Sequence, residues 1–156
     1  SPKENREIPP LNYDRVHRLK AARPDLAIIL NGGLDSLEHA ALTLGQLDGA
    51  MLGRAAYHTP WVLARADSVF AGAPDPCSTR EEAVERFRPH VEAECAAGVP
   101  LARITRHMLG LFHARPGGRI WRRVLSEESP RPGAGADVLR RALAAVAEAQ
   151  LMVEAA

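Results

Sequence analysis

The chain has 156 residues, 46% of them hydrophobic and 25% charged, with a formal net charge of +1. That length suits one or two small domains, and no apolar stretch approaches the roughly 20 residues of a membrane-spanning helix. The two cysteines, Cys77 and Cys95, give neither a metal-ligand spacing nor a disulfide scaffold, so no metal is expected and a cytoplasmic location is the default.

Residues 1–10, Ser-Pro-Lys-Glu-Asn-Arg-Glu-Ile-Pro-Pro, have neither an initiator Met nor the apolar core of a signal peptide, and read as a loop. Asn12 is placed to cap a helix running through Lys20, with Val16 and Leu19 on its inner face. Ala27-Ile28-Ile29-Leu30 then leads into Asn31-Gly32-Gly33, and Gly49-Ala50-Met51-Leu52 leads into Gly53-Arg54. Short apolar runs of this kind read as buried parallel strands, and Ser36 to Gln46 is long enough for the crossover helix between them, opened by Asp35-Ser36-Leu37-Glu38. Both glycine clusters then fall at one edge of the sheet.

Glycine lets the backbone turn sharply and approach a ligand closely, its N–H groups bind phosphate oxygens, and Arg54 adds a fixed charge with a planar fork of donors. The pattern resembles the phosphate site after strands seven and eight of a (β/α)8 barrel. An isolated Gly32-Gly33 is also consistent with a plain tight turn, but the matching Gly53-Arg54 favours a phosphate. A closed barrel takes roughly 250 residues, so two strands imply the C-terminal part of a larger protein.

A short helical turn is expected after Arg54, ending before Pro60, with Trp61, Val62 and Leu63 offering apolar surface to the barrel end or to a following domain. Residues 71–77, rich in Pro and Gly, read as a linker. The expected organisation is therefore residues 1–70 as the last βα units of a barrel, 71–77 as linker and 78–156 as an all-α bundle. Ser78-Thr79-Arg80-Glu81 suits a capping box, and Val84, Phe87, Val91 and Cys95 share one helical face that Gly98 and Pro100 terminate. Ile104, Met108 and Leu111 repeat that spacing; Ile120, Trp121, Val124 and Leu125 supply a further buried face. Leu139, Leu143, Val146 and Val153 mark a last helix after a break from Pro130 to Gly135. Such stripes are what the core of a helical bundle requires.

From Leu101 to Ser126 there are six arginines (Arg103, Arg106, Arg115, Arg119, Arg122 and Arg123), two histidines and no acid. An ordinary solvated face mixes both signs, whereas a one-sign patch suits a polyanion, with Arg favoured where phosphates are gripped. Arg119 and Arg122, three apart, are neighbours on a helix. The alternative is that these arginines pair with the acid-rich helix carrying Glu81, Glu82, Glu85, Glu92 and Glu94, or, for Arg106, that it anchors the bundle through a buried ion pair.

The segment from Ser1 to Leu11, the Asn31-Gly32-Gly33 cluster, the Gly53-Arg54 pair, and the run from Thr105 to Phe112 followed by Trp121-Arg122-Arg123 together closely resemble the tRNA-dihydrouridine synthase family, A subfamily. The resemblance spans almost the whole chain in order. It implies an FMN-binding (β/α)8 barrel followed by a helical tRNA-binding domain, which reduces a uridine in the tRNA D-loop with electrons from NADPH. It assigns Asn31, Gly32, Gly33, Gly53 and Arg54 to FMN, chiefly its phosphate, and Lys3, Arg6, Arg119 and Arg122 to tRNA.

The same resemblance implies that the proton-donating cysteine and the residues lining the flavin ring precede Ser1. No catalytic residue is therefore expected here, and the chain alone is expected to be inactive. Cys77 falls in the linker and Cys95 on an apolar face, where a thiol behaves as a small hydrophobe. Two other readings share parts of the pattern: a barrel flavoenzyme acting on a small metabolite, which has no use for an arginine-rich helical extension, and a nonenzymatic RNA-binding module, in which the glycine turns are merely structural.

Overall fold

The structure, a computed structural model, describes residues 11–154. In chain order it contains α1 (Tyr13–Ala22), β1 (Ile29–Asn31), α2 (Leu37–Leu44), β2 (Gly49–Met51), α3 (Arg54–His58), α4 (Arg80–Ala96), α5 (Leu101–Thr105), α6 (Gly118–Glu128) and α7 (Asp137–Glu154). A 3-10 turn at Pro60–Leu63 and a π turn at Asp67–Ala71 lie between α3 and α4. The chain forms two compact units, Ser1–Ala55 and Ala56–Ala156.

In the first unit β1 and β2 pair in parallel, with Ile29 opposite Gly49, Leu30 opposite Ala50 and Asn31 opposite Met51. Leu30, Leu34, Ala40 and Leu47 form its buried core, with Tyr13, Val16, Ile28, Leu44, Ala50 and Leu52 packed around them. Asn12 does cap α1, its side chain accepting from the Arg15 N–H at 3.0 Å. Val16 reaches the core, whereas Leu19 remains half exposed, one turn beyond the sheet contact. At α2 the cap is Ser36, whose Oγ accepts from the His39 N–H at 3.0 Å, while Asp35 holds the His39 ring instead.

The strand entries are tied by one charged residue. Asp48 accepts from the Ile28 N–H at 2.7 Å and pairs with Lys20 Nζ at 2.8 Å, while the same ammonium donates to the Leu26 carbonyl at 2.8 Å. These bonds hold the Asp48 carboxyl below the usual carboxylate range, the Ile28 N–H contributing most.

In the second unit α6 packs along α7, and α4, α5 and α7 close around Trp121. Trp121 is fully buried, lies 4.8 Å from the Phe112 ring centroid, and donates its indole N–H to the Met108 carbonyl at 2.9 Å. That bond satisfies the one polar atom of a side chain otherwise devoted to apolar contact. The cap of α4 is Thr79, accepting from the Glu82 N–H; Glu82, rather than Glu81, closes the box by accepting from Ser78. Val84 and Val91 are buried, while Phe87 sits at the edge with 37% exposure, the apolar face of α4 being narrower than its spacing suggests.

Two local expectations change. Ile104, Met108 and Leu111 do not share one helix: α5 ends at Thr105, and a chain of tight turns carries residues 106–117. Gly110 explains part of this, because a Cβ there would fall onto the His58 carbonyl oxygen, so the backbone itself packs closely at that point. Second, residues 56–70, expected with the barrel segment, belong to the helical unit by contact. Trp61 packs on the helical core and carries the Arg80 guanidinium 4.8 Å above its ring.

Candidate phosphate site and arginine surface

Because β1 and β2 run in parallel and in register, the chain leaves both strands at the same sheet edge. Asn31 ends β1 and is exposed; Gly32 is half-buried and Gly33 exposed, with Gly33 at φ +63°, the left-handed region that favours glycine. Gly53 and Arg54 follow β2 by two and three residues and are both exposed. A Cβ added at Gly53 would meet nothing within 4 Å, so this backbone stands open. Among the described residues Arg54 has no ion-pair or hydrogen-bond partner. The edge thus presents exposed glycine backbone, one exposed amide side chain and one uncommitted guanidinium, a donor set suited to a phosphate dianion.

The inner side of the Gly32-Gly33 turn is occupied by protein. Tyr13 donates its hydroxyl to the Gly32 carbonyl at 2.7 Å, and a Cβ at Gly33 would lie 2.6 Å from a Leu11 methyl. Neither Leu11 nor Tyr13 carries a sequence signal for this role, since their partners lie about twenty positions away and only folding brings them together. Lys3 and Arg6 lie outside the described residues.

In the helical unit all six arginines between Leu101 and Ser126 are exposed. Arg119 and Arg122 sit on α6, whose other side buries Trp121 and Leu125. The suggested pairing of these arginines with the acid-rich helix does not occur among the described residues. Glu82, Glu85 and Glu92 of α4 find their partners within their own helix: Arg88 takes Glu85 at 3.0 Å and Glu92 at 2.5 Å, and Arg86 approaches Glu82 at 4.0 Å. Arg106 is exposed as well, with its Nε donating to His107 Nε2 at 3.0 Å, so it anchors no buried ion pair. Among the described residues none of these six guanidiniums makes an ion pair.

A cleft of about 210 Å³, lined in part by Ser78, Arg80, Glu81 and Arg115, adjoins Trp61. Arg80 donates to the Leu111 carbonyl at 2.8 Å, and burial, with Arg115 beside it, pulls its pKa below the ordinary guanidinium value. Sequence reading treated Trp61 only as apolar surface and missed this stacked arginine. Both cysteines are free and half-buried; burial, then Glu94, push the pKa of the Cys95 thiol above its ordinary value. Among the described residues no group of three or more His, Cys, Asp or Glu is placed to hold a metal, and no helix is long and apolar enough to cross a membrane.

Comparison with known proteins assigns the ancestry of this arrangement. The profile of the dihydrouridine synthase (Dus) family matches residues 1–148. A tRNA-dihydrouridine(20/20a) synthase of Vibrio parahaemolyticus is 51% identical over 146 residues, covering 94% of this chain and 45% of that protein. Proteins of the same name from Xanthomonas campestris pv. campestris and Escherichia coli are 49% and 48% identical, over 91% and 95% of this chain and 42% and 43% of their own lengths. The chain therefore spans a little under half the length of the curated relatives it matches. With about half of all positions shared and the match running almost from end to end, this chain belongs to the dihydrouridine synthase family, whose fold is the (β/α)8 barrel.

Proposed function

We propose that the chain forms the C-terminal part of a cytoplasmic, A-subfamily tRNA-dihydrouridine synthase, contributing the cofactor-phosphate end of the barrel and a helical tRNA-gripping domain. The observation that carries this reading is the pairing of Gly32-Gly33 with Gly53-Arg54 at one edge of a parallel two-stranded sheet, within a chain of this family. The open backbone at Gly53 and Arg54, which has no partner among the described residues, fit the phosphate of FMN in charge and in donor number. Gly32, Gly33 and Gly53 would offer backbone N–H groups, Asn31 its side-chain amide and Arg54 its fork of donors. Bound there, the flavin would supply the hydride chemistry for a uridine in the tRNA D-loop, with NADPH as the electron source.

The residues of this chain bind and orient; none is assigned a proton transfer. Arg119 and Arg122, exposed and without an ion pair among the described residues, would take phosphates or stack on exposed bases of tRNA, and Lys3 and Arg6 would extend that grip. Half-exposed apolar residues on the strands, Ile29 and Met51, suit a sheet that continues into further barrel strands. By this reading the chain alone does not reduce uridine.

Arg54→Ala in the full-length protein tests the assignment. A hydrogen bond to a charged group contributes roughly 1.5–3 kcal/mol, so FMN affinity should fall about tenfold or more. Flavin retained through dialysis as well as in the unmodified protein would remove Arg54 from the site, and absence of both flavin and NADPH-dependent dihydrouridine formation in that protein would remove the function.

A further inference from the structure

The Gly32-Gly33 turn raises a problem that its glycines alone do not solve. A peptide flanked by two glycines rotates with little steric resistance, so it can present either its N–H or its C=O to a ligand. For a phosphate the two orientations are opposite in sign: the N–H attracts and the carbonyl repels. Something in the fold must choose between them.

Tyr13 is placed to do so. It is the first residue of α1, half-buried, and its hydroxyl donates to the Gly32 carbonyl oxygen at 2.7 Å. Its ring is held edge-on by His39 at 6.2 Å, and His39 Nδ1 lies 2.9 Å from Asp35 Oδ1. Leu11 methyls fill the same side of the turn, 2.8 Å from where a Gly32 Cβ would stand and 2.6 Å from where a Gly33 Cβ would stand. In a trans peptide the C=O and N–H of one unit point in opposite directions. With the Gly32 carbonyl committed to Tyr13, the Gly33 N–H of the same peptide is turned away from the Leu11 and Tyr13 side. Gly33 is exposed, and among the described residues no backbone carbonyl accepts from it.

We propose that Tyr13 is a positioning residue of the cofactor site: its hydroxyl locks the Gly32-Gly33 peptide so that the Gly33 N–H faces the flavin phosphate. The inference rests on the reading of this edge as an FMN phosphate site and adds the device that keeps the site in its anion-binding orientation. His39 braces the phenol and Leu11 fills the space beside the turn; the hydroxyl makes the selection.

The test is Tyr13→Phe in the full-length protein, which removes only the hydroxyl, with FMN and riboflavin titrated separately. Riboflavin has the same ring system and no phosphate. FMN affinity should fall about three- to tenfold while riboflavin affinity changes by less than about twofold, the loss being confined to the charged hydrogen bond. Equal weakening of both flavins would mean that Tyr13 only supports the fold, and would overturn the proposal. Unchanged FMN affinity in Tyr13→Phe beside a clear loss in Arg54→Ala would overturn it and leave the phosphate site standing; no loss in either variant would overturn both. Amide exchange at Gly33 in the unmodified protein gives a readout independent of the variant's folding. Protection by FMN and not by riboflavin is expected, and equal protection by both, or by neither, refutes the assignment.

Discussion

The two units use the same chain chemistry for opposite ends. In the helical unit buried apolar side chains converge on one core around Trp121, and the surface carries, beside some exposed apolar residues, a run of charge on long side chains. In the sheet unit the buried core is small, Leu30, Leu34, Ala40 and Leu47, and what it offers outside is backbone: glycines at two strand ends, the first of them bonded through its carbonyl to a tyrosine hydroxyl. A surface made of arginines depends on charge and tolerates small shifts of position. A surface made of peptide N–H groups depends on conformation, and a single rotated peptide reverses its sign.

That contrast is open to direct attack. The largest effect is expected from Trp121→Ala, which empties the centre of the helical core and leaves the Met108 carbonyl without its donor; a loss of about 3–5 kcal/mol should appear in denaturant unfolding. A loss under about 1 kcal/mol would show that this core is not closed around Trp121.

Next in size is the double replacement of Arg119 and Arg122 by Ala. Since neither makes an ion pair among the described residues, the melting temperature should hold while tRNA affinity falls on the order of tenfold or more and the slope of log affinity against log salt flattens by about 2. A drop in melting temperature with tRNA binding intact would reverse the distinction between a structural core and a binding surface.

A smaller effect, of opposite sign, is expected in the turns before α6. Ala114 adopts φ +56°, a left-handed conformation that costs a residue with a Cβ roughly 1–2 kcal/mol, so Ala114→Gly should stabilise the helical unit by up to about 1 kcal/mol after the entropy glycine adds to the unfolded chain. Calorimetry would register a rise in melting temperature, and a fall would show the strain to be absent.

The smallest concerns acid. The folded Asp48 carboxyl is held below its ordinary value by the Ile28 N–H and Lys20, so its contribution is present above the unfolded pKa and is lost as pH falls through the folded one. Asp48→Asn should make the melting temperature slightly less sensitive to acid, and an unchanged pH profile would assign that sensitivity to other carboxylates.

Local pattern made much of this legible in advance. Asn12 and the helix starts at Ser36 and Thr79 follow from short-range hydrogen bonding, and the parallel strands follow from their apolar runs and the helix-length spacer between them. The glycine clusters and the acid-free arginine run were visible because composition alone carries them. The end of α5 at Thr105 was not, because Gly110 packs against the His58 carbonyl, a contact between segments some fifty residues apart. For the same reason residues 56–70 joined the helical unit through Trp61, although the Pro and Gly content of 71–77 marked a later boundary.

Sequence by itself thus determined which residues could bind anions: glycine frees a backbone N–H, arginine keeps its charge, and neither property needs a neighbour. Tertiary structure decided which of them are free to do so. It paired Glu82, Glu85 and Glu92 within their own helix, left Arg119 and Arg122 without an ion pair among the described residues, and brought Tyr13 across nineteen positions to the Gly32 carbonyl. The physical reason is range: intrinsic charge and backbone freedom belong to single residues, whereas pairing and peptide orientation exist only between groups that folding brings within a few ångströms.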